Sequence, residues 1–259
     1  MSSAVKWTNY ICFMFMLFIN LSLKSMPLGT VTKGTITGSY QSIFDPADFT
    51  FALWIVINIF LLGFIVTQLL LPGSHELSRW IRNKTGILFA LSCILQSLWY
   101  ISRHMEYYDL ALIFILGLTF ILFILYKKLS VVKQTDFFKK LIIDGFSLYL
   151  GFASMELLST YSLMIQTIEN LYLDYELVTI CLIMVATLMA IAFIVYEKNH
   201  LYAAAVLWTF LGIFFKNMAD TNGKTAMMAA AIGTGFILIS MSLSAEPGKH
   251  KSFLHTKQY

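Results

Sequence analysis

Residues 49–71 run for 23 positions without a charged side chain. At about 1.5 Å per residue, a helix of that length covers the roughly 30 Å hydrocarbon core of a bilayer. A soluble fold would have to wrap such a run on every side, and this chain holds several of them. Hydrophobic residues make up 58% and charged residues 12%, against about 25% charged in ordinary soluble domains. Backbone polar groups in lipid must be satisfied within the segment, so the apolar runs read as helices. The sequence predicts an all-α integral membrane protein.

Further apolar segments lie at 7–23, 85–102, 110–126, 145–165, 177–196, 201–215 and 226–243, which gives about eight transmembrane helices. The segment 201–215 is short for a span and would need Lys216 to reach the interface. The first segment, with Lys6 before it, has the outline of a signal peptide. No A-x-A-like site follows, since the chain continues Lys24-Ser25-Met26-Pro27, so a retained helix is expected. One polytopic membrane domain, 1–243, is then followed by a basic tail, 244–259, suited to lie near anionic lipid.

Lys and Arg set the expected orientation. With the N-terminus inside, 13 of the 18 fall on the cytoplasmic side and 5 on the outer side. Both termini are thus expected in the cytoplasm, and the long connection 24–48, with Gly29, Gly34 and Gly38, faces outward. Loops of that length usually move or carry function.

Polar and aromatic residues recur at helical spacing in three of the segments. In the second, Asp45-Pro46-Ala47-Asp48 forms the entry, where Pro46 pushes Asp45 out of the helical region and can start a helix. Phe51, Trp54 and Asn58 follow at spacings of three and four, so they share one face of a continuous helix. This face reads either as a binding mouth or as an interfacial aromatic anchor with an amide bonded to a neighbouring helix. In the third segment Gln96, Trp99 and Arg103 share a face; in the fifth, Tyr149, Phe152, Glu156, Ser159 and Thr160 form a stripe. Glu156 lies in mid-span, where an ionisable side chain is costly enough to be a functional candidate. It reads equally as an uncharged carboxyl bonded to a neighbouring helix or as a ligand contact. Arg103, near the outer interface, is expected to snorkel to water rather than to reach it. All these groups fall in the outer half of their spans, consistent with a cavity open outward.

Other classes find less support. The basic residues sit in short loops and make no long patch, so no nucleic-acid partner is expected. Cys12, Cys93 and Cys181 lie in apolar segments and suggest buried thiols without a disulfide framework. No zinc-type spacing, nucleophile elbow or phosphate loop is visible, so no catalytic or metal residues are assigned and no enzyme is expected. Neither of the last two segments holds the lysine a retinal protein would need. Ala229-x-x-x-Gly233 and Ala231-x-x-x-Gly235 in the last segment let helices approach closely, either within the chain or in a homodimer.

Residues 20–68 resemble the start of the longer bacterial tryptophan-rich sensory proteins, relatives of the translocator protein (TspO/MBR) family. The matching positions are Pro27, Leu28, Phe44, Pro46, Ala47, Phe51 and Trp54. Leu95-Gln96-Ser97-Leu98-Trp99 is similar to the L-N-x-x-W of that family's third helix, and Phe146-Ser147-Leu148-Tyr149-Leu150-Gly151 to the F-S-L-Y-L-G of its fifth. Trp208 and Gly212 resemble its W-x-x-x-G-I near the end of the long members. Departures fall on the proposed pocket face: Gln96 stands for Asn, Asn58 for Tyr, Phe152 for Trp, Thr160 for Asn, and Glu156 for a small residue.

The resemblance implies a TspO-like five-helix core over about 5–166 with three further C-terminal helices over about 177–243. It also implies a bacterial plasma-membrane location and a pocket for tetrapyrroles, sterols or other lipophilic ligands. The expected function is a non-enzymatic receptor, sensor or carrier for a small lipophilic ligand, with no resident cofactor. The alternative is a proton-coupled transporter that uses Glu156. The candidate ligand residues are Phe44, Pro46, Phe51, Trp54, Asn58, Gln96, Trp99, Arg103, Tyr149, Phe152, Glu156 and Thr160.

Overall fold

A computed structural model describes residues 3–25, 44–72, 75–130, 137–168, 174–218 and 223–245. Most of the long connection, 26–43, and the tail beyond 245 lie outside the described residues. The described elements are all helical: α1 (Ser3–Ser25), a 3-10 turn (Asp48–Phe51), α2 (Ala52–Leu70), α3 (Glu76–Thr85), α4 (Leu88–His104), α5 (Tyr108–Ser130), α6 (Phe137–Gln166), α7 (Tyr175–Glu197), α8 (His200–Met218) and α9 (Lys224–Ala245).

Among the described residues, seven helices are long and apolar enough to cross a membrane, and α3 with α4 makes an eighth if the pair is one bent span. The chain is therefore an all-α, multi-pass membrane protein. The expected segment 85–102 is corrected at its start, because Thr85 closes α3 and α4 begins at Leu88. Gly86 between them has φ +51°, which glycine adopts at little cost, and the axes bend by 56° there. On α3, Leu77 and Ile81 are buried while Glu76 and Arg79 are exposed, an amphipathic pattern suited to the interface. The short segment 201–215 extends to 19 residues in α8, about 28 Å, which suffices for a span.

Caps set several of the boundaries. Asp174 accepts from the amides of Glu176 (2.9 Å) and Leu177 (3.3 Å) and so starts α7. Asn199 Oδ1 accepts from the amides of Leu201 (3.1 Å) and Tyr202 (3.2 Å), and from the Ser147 hydroxyl (2.6 Å), which ties the start of α8 to α6.

Helices α1, α4, α5, α6 and α2 pack in that order as a closed ring, since α2 touches both α6 and α1. Helices α7 and α8 pack on α6, and α9 lies across α7 and α8. Helix α6 is thus common to both groups, and every residue from 145 to 156 on it is buried. A helix buried on all faces must pair the polar groups it carries, as Ser147 does with Asn199 and Glu156 with Arg103. At Gly151, an added Cβ would lie 2.7 Å from the Tyr202 carbonyl oxygen, so only glycine permits this approach of α6 and α8.

Two sequence expectations about packing come out differently in their parts. Of the three thiols, Cys93 is buried, Cys12 half-buried and Cys181 exposed on the outer face of α7. Of the two small-residue pairs, Gly233 packs within the chain, where a Cβ would meet Thr187 Oγ1 at 2.6 Å and Phe210 at 2.8 Å. Gly235 has nothing within 4 Å.

Candidate functional site

Helices α2, α4 and α6 bring together side chains that lie far apart in sequence. Trp54 enters from α2 and packs edge-on against Tyr149 (centroids 5.7 Å apart) and Phe152 (5.2 Å) of α6. It also lies 6.3 Å from the Trp99 ring of α4, tilted by 33°. Each such pair contributes about 0.5–1.5 kcal/mol beyond burial. Trp99, Tyr149 and Phe152 are almost wholly buried, whereas Trp54 is half-buried. Trp54 is therefore the face of the aromatic group that something outside could reach.

The polar atoms of the group are paired across helices. Tyr149 donates its hydroxyl to Gln96 Oε1, and Trp99 donates its indole N–H to Thr160 Oγ1 at 3.1 Å. In a bilayer such bonds replace water that is not there, and they fix the register of α4 against α6. Asn58 donates to the Trp54 carbonyl at 2.7 Å, back along its own helix. Its Oδ1 is buried and has no hydrogen-bond partner among the described residues.

Above the rings lies an ionic group. Arg103 Nη1 donates to Glu156 Oε2 at 2.8 Å, and Nη2 donates to Ser159 Oγ at 3.2 Å and to Asp45 Oδ1 at 3.5 Å. Ser159 donates its hydroxyl to Asp45 as well. The guanidinium carbon stands 5.8 Å from the Trp99 ring centroid, within cation–π range. This corrects the expectation that Arg103 snorkels to water. Two carboxylates and an aromatic face hold it instead, and its side chain is only 19% exposed.

The entry to α2 closes over this group and is held by α8. The Ala47 amide donates to the Gly212 carbonyl at 3.1 Å, and the Trp208 indole donates to the Thr50 carbonyl at 3.0 Å. Thr50 Oγ1 caps the turn by donating to the Ala47 carbonyl at 2.6 Å. Phe49 packs edge-on against Trp208 and Phe215. A Cβ on Gly212 would lie 2.1 Å from Thr50 Cγ2 and 2.8 Å from Pro46 Cβ, so the glycine is what lets the entry seat.

Of the sequence candidates, Trp54, Gln96, Trp99, Arg103, Tyr149, Phe152, Glu156 and Thr160 are brought together, with Asn58 one turn along α2 from Trp54. Phe44 and Pro46 are buried in the entry segment beside them. Phe51 is not among them. It is 38% exposed and ends the 3-10 turn, α2 beginning at Ala52. Sequence reasoning missed Asp45 as a site residue, although a charge directly before Pro46 at a span mouth was a signal. It also missed that Trp208 and Gly212 act on the entry segment. Among the described residues no three His, Cys, Asp or Glu side chains group as a metal site.

Comparison with known proteins gives one family. A family model described as TSPO-like protein matches residues 6–243. No curated protein and no solved structure matches the chain.

Proposed function

Because the chain belongs to the TSPO-like protein family, we propose that it is a non-enzymatic membrane receptor, sensor or carrier. Its ligand is small, lipophilic and tetrapyrrole-like, and it binds where α2, α4 and α6 meet. The observation that carries this reading is the half-buried Trp54 set against three buried aromatic rings beneath a charged group. Aromatic walls with a few fixed polar atoms are what lipophilic ligand sites need. Asn58 Oδ1 adds a buried acceptor without a partner among the described residues, which a ligand N–H or O–H would satisfy.

The rings stand 5.2–6.3 Å from Trp54, so a flat ligand would enter by parting Trp54 from the others. In this reading the entry segment Phe44–Thr50 covers the ligand, and its attachment to α8 governs access. The membrane is the bacterial plasma membrane, with both termini in the cytoplasm and the entry segment outside.

The test is a titration of the purified protein with a free-base porphyrin, followed by the porphyrin's own absorbance. Saturable binding that weakens about tenfold or more in Trp54→Leu is expected of an aromatic anchor. Equal affinity in the two proteins would remove the reading. The second reading, proton-coupled transport, is favoured by one observation, the Glu156 carboxyl buried in mid-span.

A further inference from the structure

At the end of the bundle away from Arg103, α7 closes at Glu197 and α8 opens at His200. Lys198 between them takes a left-handed conformation, φ 54° and ψ 34°, with its amide bonded to the Phe193 carbonyl. Its neighbour Glu197 is already taken by Lys127, at 2.6 Å. Lys198 is exposed and makes no ion pair with the described residues. It stands at the end of a groove of about 310 Å³ that runs between α7 and α9 and is floored by Val195, Phe236, Ile239, Ser240, Leu243 and Ser244. The four apolar side chains are all exposed in the bare protein.

We propose that this groove holds one acyl chain of a membrane phospholipid, with the lipid phosphate at the Lys198 ammonium. Both helices are spans, so the groove opens to hydrocarbon, and its floor is mainly apolar with two serine hydroxyls. A lysine at the end of a span sits at headgroup level. The anion that every phospholipid places at that level is its phosphate. The pairing of Glu197 with Lys127 leaves the Lys198 charge without a partner among the described residues, and this supplies the charge complementarity. The groove is lined by α7, its C-cap Lys198 and α9, none of which contributes a side chain to the group around Trp54, so this lipid site is separate from the ligand site proposed above.

The experiment is a titration of the detergent-purified full chain by native mass spectrometry. Its probes are phosphatidylglycerol and a diacylglycerol with the same acyl chains. Lys198→Asn is the main variant, because asparagine tolerates a positive φ. Phosphatidylglycerol should bind the unaltered protein more tightly than the diacylglycerol does. Lys198→Asn should weaken phosphatidylglycerol about fivefold, the value of one lysine near a headgroup, and leave the diacylglycerol unchanged. Ile239→Trp, which fills the groove, should weaken both lipids. Equal binding of the two lipids to the unaltered protein would overturn the proposal. So would phosphatidylglycerol affinity that survives both substitutions at an unchanged melting temperature.

Discussion

The amide of Ala47, at the mouth of the second helix, donates to the carbonyl of Gly212, near the end of the eighth, across 3.1 Å. A peptide group within a helix normally spends its carbonyl on the helix itself. This one also holds the segment that covers the Arg103 group. Close approach makes the bond, and close approach depends on the missing side chain at position 212.

Gly212→Ala should therefore loosen the entry before it unfolds the protein. The added methyl meets Thr50 Cγ2 and Pro46 Cβ well inside contact distance. Overpacking of this kind costs about 1–3 kcal/mol. The expected signature is a cysteine placed at Ala47 that reacts faster with a thiol reagent in the Gly212→Ala background, with Cys181 replaced by Ser. An unchanged rate would show that α8 does not hold the entry.

Trp99 and Thr160 offer a cleaner measure of what joins α4 to α6. Trp99→Phe keeps a ring and removes the N–H, and Thr160→Val keeps the shape and removes the hydroxyl. A double-mutant cycle on unfolding should give a coupling of about 0.5–1.5 kcal/mol, the usual range for such bonds between membrane helices. A coupling near zero would mean that the bond contributes nothing to stability.

The chain's orientation is open to a direct test at the two ends of α5. Met105, in the turn before it, is 55% exposed, and Lys128 near its end is exposed too. In a Cys181→Ser background, a cysteine at 105 should react with an impermeant reagent on intact cells. One at 128 should react only after permeabilisation. The reverse order would invert the proposed topology.

The spans were legible because lipid imposes a single demand on each, a long apolar helix, and the sequence meets it segment by segment. The pairing of α4 with α6 was half legible. Gln96 and Trp99 share a face, as do Tyr149 and Thr160, yet nothing in either stretch says which face meets which. Arg103 was misjudged for a physical reason. Snorkelling is favourable only when water is the best partner within reach, and Glu156, Ser159 and Asp45 together are better. The last of these comes from a different element, which no spacing rule connects to α4. Gly86 was not picked out, because the apolar run reads as starting at Thr85 and the basic stretch before it as a connection rather than a helix. Phe51 lies at the very start of α2, where its side chain is exposed, and spacing alone does not say which residues at a helix mouth are covered.

The Glu156 carboxyl separates the receptor reading from the transporter reading, and its pairing with Arg103 sets the terms. Glu156→Gln keeps the shape and a hydrogen-bond acceptor for the guanidinium but removes the countercharge. Breaking a fully buried pair costs about 3–5 kcal/mol. Here Asp45 remains at 3.5 Å and Arg103 is 19% exposed, so a smaller loss, about 1–3 kcal/mol, is expected once solvent screening is counted. A receptor should then bind its ligand with modestly altered affinity and show no uptake driven by a pH gradient, before or after the change. A transporter that moves a proton through this carboxyl should lose gradient-driven accumulation in the Gln variant while retaining binding. Both measurements are made on the same preparations: porphyrin affinity in detergent, and porphyrin uptake into proteoliposomes with and without an imposed pH gradient. Uptake that follows the gradient in the unaltered protein and vanishes in Glu156→Gln would sink the receptor reading and make Arg103 the partner that holds the unprotonated form.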